Sequence, residues 1–543
     1  MKNKIIKNKN KIILFSIWFL YTIIFFTHNI FMTWDSTEYL GMSLVLGTSA
    51  IKDVWFSVRG VSFPFLLRLF EPFGYQNKYM LLLLTYLFFM YLIIILFKIG
   101  QKLNLYQKST TKFIYLFFIT VFIILNPIIF MYYHTILTEF VAMTLNIVFV
   151  YTIFNYIKID IRKEKKLGIL TALTISLIIT FLYHTKQSFT GMLVIELAIG
   201  LFLSFFRHFD IKNIMYKIFT CFLCALMLIS SIKVWNFYMS KEGVKEVSKN
   251  TERYTSNKRI ISGITNLIEV GNSSNLIYKE DIFKKTVQTI KNGKKVNDKE
   301  TITIYNQKDK NEILKVLNNQ SKYKAFTIYE AKNNEKVQYV FFTKKNYSMK
   351  EQIPFYFKIM ATNPLIIINS YYDGIYKAVW KGGYYLYENI DFATYYYHKE
   401  GYPNVSYISP GYEFAVEDLT ETQHISFLDH ISFGLSILLF PIYRINQMIV
   451  PLLFLISLII TIYIIINNRK DSKYNEVRNG FEMITLMYGM SFGCIISYIM
   501  FKTYIDRYLV PSHIPMYLGD ILFIIFIVKL IKLRKSKTLV ATN

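Results

Sequence analysis

Four charged residues that could do chemistry stand beside the ends of long apolar stretches. Asp35 follows the first stretch, Glu139 opens the fourth, Lys186 ends the fifth and Arg507 precedes the last. Carboxylates can act as general bases, and Lys and Arg stabilise a phosphate leaving group where water is excluded. Because charges so close to hydrocarbon are costly, they mark a site by default. The two carboxylates and two cations can serve one another as partners, and they can also bind an anionic lipid head group and act on it.

The same segments supply further candidates. Arg59 is a further cation in the outer loop that follows Asp35. Expected substrate contacts come from residues beside the four charges, namely Glu38, Tyr39, His184 and Tyr508. The histidines near these segments match no ligand spacing of a metal site. We therefore expect no metal and no other cofactor, although a divalent ion is not excluded.

Each of the four charges also has a structural explanation. Asp35 could accept hydrogen bonds from backbone amides at a helix end, and Glu139 could complement the dipole of its helix. Lys186 could extend its ammonium toward the membrane interface, and Arg507 could pair with the neighbouring Asp506. These alternatives stay open at the level of the sequence.

The composition requires membrane helices to position these residues. The chain has 543 residues, of which 53% are hydrophobic and only 18% are charged, and soluble domains carry about 25% charge. A water-soluble multidomain enzyme and a disordered chain are thereby excluded. A spanning helix needs about 20 apolar residues. We predict a polytopic α-helical membrane protein with about ten transmembrane helices, near 12–31, 79–97, 113–132, 137–157, 168–184, 189–206, 214–235, 446–467, 482–502 and 515–532.

The basic residues set the expected orientation. The net charge of +26 suggests cytoplasmic loops rather than nucleic-acid binding, since Lys and Arg concentrate in such loops. Basic clusters at the N-terminus, in 98–112 and 158–167, beside Arg207 and Arg469, and in the C-terminal tail fall on one side if ten helices alternate. We therefore expect a cell-membrane protein with both termini cytoplasmic and the four charged residues on the extracytoplasmic side.

Three parts follow from this topology, with boundaries at 1–235, 236–445 and 446–543. The first contains an outer loop, 32–78, in which two apolar runs predict helices lying on the membrane surface. The middle part is a large extracytoplasmic segment, expected to be mixed α/β because alternating runs near 300–345 are typical of strands.

The end of the middle part, 427–443, allows two interpretations. It is expected to be a membrane-surface helix. The alternative is an eleventh span, which would invert the C-terminal part and place its basic loops on the wrong side.

Several short motifs carry a family resemblance. They are Asp35 with Tyr39, Arg59-Gly60 with Pro64, Thr138-Glu139, Thr185-Lys186, and Arg507-Tyr508 with Pro511. Their order and shared side resemble the GT-C superfamily of membrane glycosyltransferases, particularly the protein O-mannosyltransferase and aminoarabinose-transferase branches. The resemblance covers about 1–235 and 446–532. Ser36 stands where many relatives have a second acid, which weakens a metal-dependent interpretation.

The resemblance implies transfer of a sugar from a polyprenyl phosphate, with inversion, to an extracytoplasmic protein, lipid or wall polymer. Asp35 would be the general base, and Glu139 would orient the sugar or the acceptor. Lys186 and Arg507, helped by Arg59, would bind the donor phosphate.

Two other functions are compatible with the sequence. A transporter or flippase of an anionic lipid-linked substrate would carry broken helices and charges near the middle of the membrane. We expect few charges there, which favours the enzyme. A membrane anchor that displays a binding domain would need neither ten spans nor charges at their ends.

Overall fold

A computed structural model describes the chain in twelve stretches. They are 18–27, 34–47, 60–70, 78–161, 163–186, 188–241, 299–304, 326–330, 337–342, 427–467, 471–500 and 506–541. Arg59 lies outside the described residues. Only the backbone is described for Asp35, Glu38, Arg507 and Tyr508.

The described part is mostly helical. Three short helices, α1 to α3, precede the long helix α4; their bounds are Trp18–Thr27, Trp34–Val45, Ser62–Arg68 and Lys78–Lys102. The next six, α5 to α10, are Ser109–Ile119, Pro127–Tyr133, Thr138–Lys158, Lys165–Thr185, Ser188–His208 and Ile211–Lys241. The last three, α11 to α13, are Phe427–Asn467, Asn475–Met500 and His513–Ala541, and a 3-10 helix, Asp506–Ser512, precedes α13.

Eight of the described helices are long and apolar enough to cross a membrane, which indicates a polytopic membrane protein. A ninth arises if α5, its π-helical extension Thr120–Ile124 and α6 form one bent span. Asn126 and Pro127 cause the 57° bend, because Asn126 accepts hydrogen bonds from two amides of α6 and proline suits the first helical turn. Of the first predicted span, 12–31, only α1 is described. The count of ten spans thus stays a prediction.

The helix α11 differs from the expectation for 427–443. The predicted surface helix and the following span form one uninterrupted helix of 41 residues. Its length is about 62 Å at 1.5 Å per residue, roughly twice the hydrocarbon core. Phe427 to Tyr443 is therefore not a separate helix, because the backbone stays helical through Arg444 and Asn446, where polar residues interrupt the apolar run.

The helix α7 lies at the centre of the packing. It contacts α4, α8, α9 and the 3-10 helix Asp506–Ser512. By contrast, α10 exposes a row of large apolar side chains along its length, as expected for a surface that faces lipid. That row includes Ile211, Met215, Phe219, Phe222 and Leu226.

The chain divides into two compact units. The first contains α1 to α11, most of α12 and all of α13. The second comprises 245–383 and 495–505. Its described strands are β1, β2 and β3, with bounds Lys299–Ile304, Phe326–Glu330 and Val337–Phe342. They form an antiparallel sheet of order β1-β3-β2, with Ile302 opposite Tyr339. The extracytoplasmic location and α/β character of the whole middle segment stay predictions.

Candidate functional site

Two of the predicted site residues form a buried ion pair. The Lys186 Nζ donates to Glu139 Oε1 at 3.0 Å, and Thr138 Oγ1 donates to Glu139 Oε2 at 3.1 Å. Glu139 is fully buried, whereas the Lys186 side chain keeps 18% of its surface exposed. Glu139 lies in the first turn of α7 and Lys186 directly follows α8, so each charge also complements its helix dipole. The dipole explanation for Glu139 therefore fits the structure, and a functional role for the two residues stays a prediction.

The predicted Arg-Gly motif lies against the same place. A Cβ atom on Gly60 would overlap the carbonyl oxygen of His184 and would stand 2.9 Å from the carbonyl carbon of Thr185. Only glycine permits backbones to approach so closely. We use the term rim site for Gly60, Thr138, Glu139, His184 and Lys186. It unites three motifs that are far apart in the sequence.

Gly60→Ala is expected to destabilise the rim site. The added methyl group would overlap backbone atoms, which no rotamer change can relieve, so a cost of about 1–3 kcal/mol or more is expected. Thermal unfolding of the purified protein measures it. Gly168→Ala is the matched control, because its Cβ meets only the flexible Ile161 side chain at 3.1 Å. Equal melting temperatures in the two variants would contradict the close approach.

Aromatic rings connect the helix of Asp35 to the rim site. Tyr39 packs edge-on against Phe63 of α3 at 5.0 Å between centroids, and Phe63 packs against Phe140 at 5.8 Å. Phe140 is the residue after Glu139. Asp35 lies one turn before Tyr39 and on the same face of α2, since residues four apart share a face. The helices predicted in the outer loop are confirmed, whereas their position on a membrane surface is not tested.

The segment that contains Arg507, Tyr508 and Pro511 also contacts α7. Asn146 Nδ2 donates to the carbonyl oxygen of Pro511 at 3.4 Å, and Ser491 Oγ donates to that of Ser512 at 3.1 Å. The 3-10 helix that contains Arg507 and Tyr508 thereby contacts α7. The structure gives no side-chain position for either residue, so their roles stay predictions.

The described histidines near the rim site have protein partners. His184 Nε2 lies 3.0 Å from the Ser231 hydroxyl of α10. His134 is buried with its two ring nitrogens 2.8 Å and 2.9 Å from the carbonyl oxygens of Phe130 and Phe25. Within the described stretches, no three His, Cys, Asp or Glu residues are grouped as metal ligands. His184 is thus a link between α8 and α10, beside Lys186.

A second polar cluster lies at the opposite ends of the same helices. Arg207 Nη1 donates to both oxygens of the buried Glu482, one of them at 2.6 Å, and joins α9 to α12. Lys217 donates to the carbonyl oxygens of Tyr156 and Ile157, at the end of α7 remote from Glu139. From Glu139 to Lys158 the helix rises about 28 Å, or 19 residues at 1.5 Å each. The predicted basic end and the rim site are therefore separated by a distance close to the roughly 30 Å of a bilayer's hydrocarbon core.

Comparison with models of known protein families found none that matches the chain. No curated protein and no solved structure matches it either. The GT-C resemblance consequently stays an expectation from the motifs.

Sequence reasoning missed charged residues inside the spans. Glu196 of α9 is fully buried and Asp520 of α13 is partly buried, and both lie in apolar helices. Asp520 accepts hydrogen bonds from Tyr488 at 2.7 Å and from Asn446 at 2.5 Å. The expectation of few charges near the middle of the membrane stays a prediction, and these two acids are the exceptions that it did not name. An isolated acid within an apolar run was the signal that could have found both residues.

Proposed function

We propose that the chain is a membrane glycosyltransferase that moves a sugar from a polyprenyl-phosphate donor to an extracytoplasmic acceptor. The observation that supports it best is the rim site itself. Its carboxylate, its ammonium and its glycine come from three separate segments, and the rings of Tyr39 and Phe63 connect it to the helix of Asp35.

The proposed reaction is a single displacement. The acceptor oxygen bonds to the anomeric carbon while the bond from that carbon to the phosphate oxygen breaks, which inverts the centre. Asp35 takes the acceptor proton, and the electron pair leaves with the phosphate. Lys186 and Arg507, with Arg59, stabilise that charge. An ammonium can donate three hydrogen bonds, so Lys186 can bind Glu139 and a phosphate together.

The rim site faces the outside of the cell in this proposal. The basic cluster at the other end of α7 and both termini then lie in the cytoplasm, in agreement with the usual distribution of Lys and Arg. The donor tail would lie between spans. The acceptor is a protein, a lipid or a wall polymer.

Lipid extracts test the proposal. In cells that lack the protein, one polyprenyl-phosphate sugar is expected to accumulate, to clear with the wild type and to persist with Asp35→Asn. Asp210→Asn is the control, because Asp210 caps α10 through the amides of Lys212 and Asn213, and asparagine caps equally well. If Asp35→Asn clears the lipid-linked sugar at the wild-type rate, Asp35 is not the general base. If the profile of lipid-linked sugars is the same in every strain, the donor is not a polyprenyl-phosphate sugar.

A flippase of the same lipid is the second candidate, and the acid of Glu196 within a span favours it. A flippase leaves the sugar on its carrier. Vesicles containing the purified protein would then move the lipid-linked sugar between leaflets and release no polyprenyl phosphate. Release of the carrier in the presence of acceptor would exclude this candidate.

A further inference from the structure

Glu196 carries a carboxyl group inside a membrane-spanning helix. It lies about 12 Å from the beginning of α9 and about 18 Å from its end, at 1.5 Å per residue. The side chain is 0% exposed. Neither carboxyl oxygen has a hydrogen-bond partner in the described part of the chain.

The carboxyl group fills a space that a glycine leaves open. A Cβ atom on Gly489 of α12 would stand 2.9 Å from Glu196 Oε2, 2.6 Å from Ile199 Cδ1 and 3.5 Å from a ring carbon of Phe454. The three heavy atoms nearest that point are thus the carboxyl oxygen and two apolar carbons. An ionised carboxylate in such surroundings is very costly without a counter-charge.

The cations at the two ends of α9 pair with residues other than Glu196. Lys186 and Arg207 flank the helix and pair with Glu139 and Glu482. No described group forms a hydrogen bond with Glu196, and this includes Glu139 and Lys158 on α7, His184 on α8, Lys217 on α10, Arg444 on α11 and Glu482 on α12.

We infer that the Glu196 carboxyl group is a proton-binding site within the membrane, and that it is occupied when α9 and α12 are packed as described. A proton requires no further ligand, whereas a hard metal cation requires several oxygen atoms. Gly489, Ile199 and Phe454 supply no side-chain oxygen. This proton site does not depend on glycosyl transfer.

Loss of the proton would place a negative charge directly against Gly489. The apolar contacts between α9 and α12 cannot compensate that charge, so the two helices would separate or admit water. The packed state then holds one proton more than the unfolded chain at neutral pH, and its stability must fall as the pH rises. Proton release is thereby coupled to the packing of two spans.

Thermal unfolding of the full-length protein in detergent tests the site, with wild type compared to Glu196→Gln between about pH 6 and pH 9. The amide imitates the protonated acid and has no proton to lose, whereas the unfolded wild type releases the Glu196 proton above about pH 4.3. The wild type should therefore already melt lower than Glu196→Gln at about pH 6, and the gap should widen by roughly 3 °C or more at about pH 9. Both proteins share all other titratable groups, so the difference between their melting temperatures removes the contribution of those groups.

Two further measurements complete the test. A hydrophobic carbodiimide adds to a protonated carboxyl group, forming an O-acylisourea that rearranges to a stable N-acylurea, and it should modify Glu196 but not the ion-paired Glu482. Parallel pH profiles of wild type and Glu196→Gln would overturn the inference. So would a Glu196→Gln protein that fails to fold at about pH 6, or a wild-type melting temperature that rises with Na⁺ or K⁺ and not with protons.

Discussion

Lys186→Met is expected to lower the rate of donor consumption at least about 100-fold. Removal of one preorganised donor to a developing oxyanion typically costs a factor of that size or more. The ammonium is held by Glu139 at 3.0 Å with 18% of the side chain exposed, so it is both positioned and accessible. The measurement is the rate at which membranes with each variant clear the accumulated lipid-linked sugar.

Two further variants separate this role from a structural one. Lys233→Met is the matched control, because Lys233 lies two residues beyond Ser231, the partner of His184, and its side chain is exposed. It should retain the wild-type rate. The double variant that combines Glu139→Gln with Lys186→Met removes both charges of the pair, so no unpaired charge stays buried. If the double variant regains activity, Lys186 only neutralised Glu139 and the phosphate role is wrong.

The sequence predicted the residues of the rim site better than their geometry. Glu139 and Lys186 were recognisable because each charge interrupts the end of an apolar stretch. The direct contact between Glu139 and Lys186 does not follow from the sequence, because it depends on α7 and α8 being antiparallel neighbours. Gly60 entered only as part of a motif. Its close approach to His184 is set by the path of the outer loop, which no local pattern specifies.

Partners distant in sequence were beyond prediction. The positive-inside rule predicts Arg207 as a loop residue, whereas it lies in the last turn of α9 and binds Glu482, 275 residues away. Glu196 was overlooked because a single acid barely alters the hydropathy of its span. The continuity of α11 was missed because a change of composition near 444 suggested a boundary, whereas the backbone hydrogen bonds continue through it.

Arg207→Met is expected to destabilise the packing of the membrane helices strongly. Glu482 is fully buried and receives hydrogen bonds from Arg207 on both oxygens. Removing one member of a buried pair leaves an uncompensated charge, which costs about 3–5 kcal/mol. Because this pair joins α9 to α12, the loss should appear in global unfolding of the detergent-solubilised protein.

The pair formed by Lys529 and Glu476 provides the control. These residues join α13 to α12 at 2.5 Å, but the Glu476 side chain keeps 37% of its surface exposed. An exposed pair contributes about 0–1 kcal/mol, so Lys529→Met should cost much less than Arg207→Met. Combining Arg207→Met with Glu482→Gln should recover most of the loss, since two neutral side chains replace a stranded charge. Equal costs for the two single variants would show that water reaches Glu482 and compensates its charge.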